Sequence, residues 1–219
     1  MSIADVPRCI SDDALIAAAR TVRTGPVGRR LAGYQLVTTR RPPSEGLLYL
    51  TSLLRSQQAW ETCGEPVSLL QHALQCAYQA ELHGASDAMV VAALLHDVGW
   101  LIRTTPDESE ARHSEIAAAV LGQWLPEAVT EPVRLHVAAK RYLCTVDETY
   151  PLALSAASAR RLEEQGGTLD ARQMVRFVAT KYAPQAVQLR RWDDQAKVVG
   201  AKVPGLEHYE MRLAMQLIG

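Results

Sequence analysis

The stretch from Ser86 to Ile102, SDAMVVAALLHDVGWLI, constrains the fold more than any other part of the chain. A helix with one apolar stripe can lie at a surface, whereas a helix apolar nearly all round must be enclosed by others. An N-cap at Ser86 or Asp87 and the run from Met89 to Leu95 predict such an enclosed helix, with the rest of the fold built around it. His96 and Asp97 interrupt the run, and Val98, Trp100, Leu101 and Ile102 resume it. An imidazole and a carboxylate in the middle of a buried segment cost several kcal/mol each unless something partners them.

The remainder reads as amphipathic helices between loops marked by Gly and Pro. They are EGLLYLTSLLRSQQAW, VSLLQHALQCAYQAELHG stopped at Gly84, HSEIAAAVLGQWL opening at His113, TEPVRLHVAAKRYLC, SAASARRLEEQ, DARQMVRFVA, PQAVQLRRWDDQAKV and PGLEHYEMRLAMQLI. The fourth should start at a Thr130 cap with Pro132 in its first turn. ETCGEP and RTTPDESEAR are expected as loops. Strand-type alternation is rare, so the expected fold is all-α, an orthogonal helical bundle over residues 45–219. Residues 1–44 form a separate N-terminal extension, a short helix capped at Ser11 or Asp12 and an Arg-rich linker. From Ala14 to Ser44 it carries six arginines and no acid. This is a solvated connector or, more sharply, an anion-binding arm.

A net charge of −1 over 219 residues gives no bulk attraction to nucleic acid or membrane. No apolar run approaches the ~18 residues that span a bilayer, and the start lacks the pattern of a signal peptide. Cys9, Cys63, Cys76 and Cys144 are scattered and read as free thiols of a cytoplasmic protein.

His72, His96, His113 and His136 each lie in or at the start of an apolar helix. One such histidine is ordinarily a satisfied core residue. Four on separate helices, with Asp97 beside one of them, point to a metal centre built from inward-facing side chains. Imidazole and carboxylate without thiolate select a first-row metal site other than a structural Cys-zinc site. Four histidines exceed what one metal with an open position takes, so two metals are the better count. Asp97, with two carboxylate oxygens, is the natural bridge. A further ligand is expected late in the chain at Asp193 or Asp194.

The order His72, His96–Asp97, His113, His136 and a late Asp resembles the binuclear branch of the HD-domain superfamily. LHVAAKRYL, LSAASARRLEEQGG and LRRWDDQAK are similar to the 2-amino-1-hydroxyethylphosphonate dioxygenases of phosphonate catabolism, over roughly Glu45 to the C-terminus. The resemblance implies two iron ions, a mixed-valent Fe(II)/Fe(III) pair, with O₂ as co-substrate. One iron would be held by His72, His96 and Asp193, the other by His113 and His136, and Asp97 would bridge them. It also implies a phosphonate seated on Lys140, Ser158 and Arg190. Lys140 lies one turn after His136, and Arg190 one turn before Asp193. The implied activity is O₂-dependent cleavage of the C–P bond of a 1-hydroxyalkylphosphonate to a carboxylic acid and phosphate, in a monomer or homodimer.

The chain departs from that pattern at two positions. Where the family has a tyrosine that lids the second iron, this chain has Thr62, and where it has a histidine after the HD pair, Trp100 stands. Glu65 matches the family's loop glutamate and, with Lys140, is an expected catalytic side chain. Both departures lie where a substrate's amino end is recognised. Trp100 either shrinks the pocket or offers a cation–π face, and Glu65 could still meet an ammonium. The expected substrate is therefore a different 1-hydroxyphosphonate, smaller or without a free amine. An alternative is a metal-dependent HD phosphohydrolase acting on a phosphate ester with metal-activated water. A ligand sensor that kept the metal site is a third reading, which nothing in the sequence favours.

Overall fold

The computed structural model describes residues 42–62, 64–102 and 106–218. The expected helix near Ser11, the Arg-rich linker, Cys9 and Cys63 lie outside the described residues. Within them the chain forms ten α-helices and no strand. These are α1 Pro43–Arg55, α2 Leu69–Leu82, α3 Asp87–Leu95, α4 Gly99–Ile102, α5 Pro106–Leu121, α6 Glu127–Val146, α7 Ala156–Glu164, α8 Ala171–Val178, α9 Ala183–Gln195 and α10 Leu206–Gln216. The all-α expectation is met.

The core is organised around α3, every residue of which from Met89 to Leu95 is buried. It packs against α2, α6, α9 and α10. Removing side chains such as Leu94 and Leu95 from water contributes about 1.5–3 kcal/mol each. A second apolar cluster, built from Leu135, Ala139, Phe177 and Ala186, backs α6 and α9 on the other side. Cys76 and Cys144 are buried free thiols.

Local signals fix where the helices start. Ser68 caps α2 in a capping box with Gln71, which places His72 on the first turn. Ser86 caps α3 by accepting from the Met89 N–H. Gly84, at φ +65°, ends the α2 region in the left-handed conformation expected of a helix stop.

Three expectations are corrected. The helix predicted over 86–102 is not continuous. It ends at Leu95, and the chain turns tightly before α4, with Val98 N–H bonded to Leu95 O at 3.2 Å and Trp100 N–H to Asp97 O at 3.0 Å. On a regular helix His96 and Asp97 would point about 100° apart; here the two side chains face each other, His96 Nε2 to Asp97 Oδ2 at 3.5 Å. His113 does not open a helix, because α5 begins at Pro106 and absorbs part of the expected loop. Proline is well suited to a first helical position, where its missing N–H is not needed. Finally, α6 begins at Glu127 after Pro126, so Pro132 is interior. The missing hydrogen bond, about 3 kcal/mol in an isolated helix, is outweighed by burial of Val129, Val133 and Leu135.

Candidate metal centre

Four buried histidines converge from α2, the turn after α3, α5 and α6. His72, His96, His113 and His136 are all at most 5% exposed. They meet in two pairs, with Nε2–Nε2 distances of 3.2 Å for His72 and His96 and 3.1 Å for His113 and His136. Asp97 stands between the pairs. Its Oδ2 faces His96 at 3.5 Å and His72 at 3.8 Å, and its Oδ1 faces His113 at 3.4 Å and His136 at 3.6 Å. Each pair with Asp97 forms a set of potential ligand atoms lying within 4.8 Å of one another.

The ring contacts fit a cation site. His72 Nδ1 faces Ala196 O at 2.8 Å, His96 Nδ1 faces Ala93 O at 2.8 Å and His136 Nδ1 faces Val133 O at 2.7 Å. A carbonyl only accepts, so each Nδ1 carries a proton and donates. In the neutral rings every corresponding Nε2 is then a bare lone pair. Two lone pairs at the His72–His96 distance repel unless a cation or proton lies between them. Orientation of a ring by its remote N–H is also how metal-binding histidines are held. His113 is the exception, since its Nδ1 is buried with no hydrogen-bond partner among the described residues.

Burial favours neutral, ligand-ready rings at His96 and His136. His136 is pushed down to about 3 by burial and by the neighbouring His113 and His96. Burial lowers His96 as well. Burial opposes charge on His72 too, but the facing Asp193 carboxylate more than offsets it and raises its pKa. Burial alone would push the Asp97 carboxyl up; His96 and His113 instead hold it well below the usual carboxylate range.

The structure separates the two late aspartates. Asp193 Oδ1 lies 3.2 Å from His72 Nε2, at the edge of the first set. Asp194 turns away and is held by the Arg190 guanidinium, Nε at 3.0 Å, and by the Tyr150 hydroxyl. Arg190 also reaches Asp193 Oδ2 at 2.8 Å.

Gly99 explains how α5 comes so near. A Cβ added there would lie 2.0 Å from the His113 carbonyl oxygen. The glycine after the HD pair therefore lets the backbone at His113 rest directly on α4.

A cavity of about 40 Å³ opens onto the centre. Thr62, Glu65, Trp100, Lys140, Ser158 and Arg190, the substrate-side residues read from the sequence, all line it. Lys140 is 2% exposed and donates to Ser158 O at 3.3 Å, and no carboxylate among the described residues pairs with it. Burial, then the neighbouring Arg190, push its pKa down to about 7. Ser158 Oγ accepts from Arg190 at 2.9 Å. Lys140 Nζ and the Arg190 guanidinium, the latter paired with Asp193 and Asp194, thus both meet Ser158 beside the histidines. Sequence reasoning missed Arg161 and Lys197, which line the same cavity. Lys197 could have been found, because it lies one turn after Asp193.

No protein-family model matches the sequence. A hydroxymethylphosphonate dioxygenase of Gimesia maris is 43% identical over 151 residues, 66% of this chain and 75% of its own length. A [1-hydroxy-2-(trimethylamino)ethyl]phosphonate dioxygenase (glycine-betaine-forming) of Leisingera caerulea is 38% identical over 154 residues, 68% of this chain and 79% of its own length. No helix among the described residues is long and apolar enough to cross a membrane. With a buried histidine–aspartate cluster that could hold metal, and with relatives at this identity and coverage, the chain belongs to the family of hydroxyalkylphosphonate dioxygenases.

Proposed function

We propose that this protein is a di-iron oxygenase that cleaves the C–P bond of a small 1-hydroxyalkylphosphonate, giving a carboxylic acid and inorganic phosphate. The observation that supports the reading most is the division of the Asp97 oxygens between two histidine pairs, with Lys140, which faces no carboxylate among the described residues, in the same cavity. His72, His96 and Asp193 would hold one iron, His113 and His136 the other, and Asp97 both. The donor set suits such a pair, being all imidazole and carboxylate with no thiolate. A bound mixed-valent iron pair supplies O₂ activation and the redox chemistry.

The remaining work falls to the chain's own side chains. Lys140, Ser158 and Arg190 seat the phosphonate and fix its orientation toward the histidines. Trp100 and the other buried side chains around the cavity limit its contact with bulk solvent, which strengthens each charged contact. The substrate and O₂ together contain the same atoms as the acid and phosphate. The C–P bond and the C1–H bond break, carbon is oxidised, O₂ is reduced and no external reductant is needed. The phosphohydrolase alternative is not favoured, since both named relatives are dioxygenases.

Electron paramagnetic resonance and metal analysis of anaerobically purified protein test the iron assignment. A mixed-valent signal that shifts on adding hydroxymethylphosphonate is expected; iron-free protein with full phosphonate turnover would overturn it. Lys140→Met separates the seat from the centre. It should retain its metal while KM for the phosphonate rises about tenfold or more, the cost of losing a charge-assisted contact. An unchanged KM would remove Lys140 from the seat.

A further inference from the structure

Among the described residues, the acids lining the cavity are Asp97 and Asp193, which face the histidines, and Glu65, which stands apart from them. A positive charge on a bound substrate would therefore have to pair with Glu65. That carboxylate is already committed. Its Oε1 accepts from Ser155 Oγ at 2.9 Å and Lys197 Nζ at 3.0 Å, and Arg161 Nη1 lies 3.5 Å away. Glu65 Oε2 is buried without a hydrogen-bond partner among the described residues.

We infer that Arg161 is a specificity-determining residue, which with Lys197 neutralises Glu65 and makes the cavity refuse substrates that carry a positive charge beyond C1, in favour of those whose distal end is uncharged. The inference rests on the phosphonate reading above and adds which member of that substrate class is taken. An ammonium placed at Glu65 Oε2 would be the third cation beside that carboxylate, with Lys197 shared between Glu65 at 3.0 Å and Asp193 at 3.9 Å. A hydroxyl or a water can donate to the same oxygen without adding charge. The side chains of Glu65, Arg161 and Lys197 are only 11%, 14% and 12% exposed, so water screens the repulsion weakly. The aromatic alternative is closed as well. Trp100 stacks on His113, ring centroids 4.8 Å apart, and the Arg161 guanidinium lies 5.0 Å from the Trp100 ring centre. The face that could hold a quaternary ammonium already holds a guanidinium.

The test is the ratio of kcat/KM for 2-amino-1-hydroxyethylphosphonate to that for hydroxymethylphosphonate, read by phosphate release under O₂ with iron-loaded enzyme. A ratio is independent of how much of a variant folds. Wild type should favour hydroxymethylphosphonate. Arg161→Gln should move the ratio toward the amino compound by about tenfold or more, the scale of one charge removed a few ångströms from another. Arg161→Lys should move it less, and adding Glu65→Gln to Arg161→Gln should cancel the gain, because the gain requires the freed carboxylate. Turnover of both compounds with the ratio unmoved in Arg161→Gln, or a wild-type preference for the amino compound, would overturn the inference. Wild-type enzyme releasing phosphate from neither compound would instead overturn the phosphonate reading, and this inference with it.

Discussion

Asp97→Ala is expected to lose metal from both halves of the centre, weakening metal binding by more than about 100-fold, beyond what second-shell changes cost. Each Asp97 oxygen faces a different histidine pair, 3.5 Å from His96 and 3.4 Å from His113 at its nearer contacts. Removing the carboxylate leaves each pair without its anion and without the link between them. Folding should survive, because the α3 core does not depend on this side chain, which is 20% exposed. Metal analysis after desalting, with circular dichroism as a control for the fold, checks both halves of the expectation. A folded variant that keeps both ions would refute the bridging role. Asp97→Asn is the sharper companion, because it keeps the shape and removes the charge.

Gly99→Ala should have the largest effect on stability of any conservative change near the centre, about 3 kcal/mol or more. Its new Cβ would meet the His113 carbonyl oxygen at 2.0 Å, carbon at 2.7 Å and Cα at 3.0 Å. All three are backbone atoms, so no rotamer change relieves the clash, and α4 and α5 must part. Parting them carries His113 away from His136, now 3.1 Å off, and from Asp97. The expected result is a lowered melting temperature and, in the fraction that folds, preferential loss of the metal at the His113–His136 half. Unchanged melting with a full metal complement would mean that the two helices have slack which the contact distances deny.

Much of this site is legible in the chain because its ligand-type residues sit where a polar group is costly. His72, His96 and His136 stand out against apolar neighbours, and the structure brings them, with Asp97, His113 and Asp193, into one cluster. Residue type alone leaves Asp193 and Asp194 open and the resemblance chooses Asp193; the packing of α9 adds that Asp194 turns to Arg190 and Tyr150. Periodicity fails at the HD pair itself. It extends the buried helix through 86–102, whereas the chain turns after Leu95, and the adjacent His96 and Asp97 side chains meet in one cluster. The role of Gly99 depends on where α5 passes, which no local pattern states. Arg161 escapes for a related reason. On SAASARRLEEQ it reads as one more solvated charge, and its contacts with Glu65 and Trp100 come from segments far away in sequence.

The central claim is that O₂, not water, breaks the C–P bond at this centre. Simultaneous recording of oxygen uptake and phosphate release from hydroxymethylphosphonate by the iron-loaded enzyme tests it most directly. The account expects the two to rise together in equal amounts and phosphate release to stop when oxygen is removed. Phosphate released under anaerobic conditions, or without matching oxygen uptake, would contradict it.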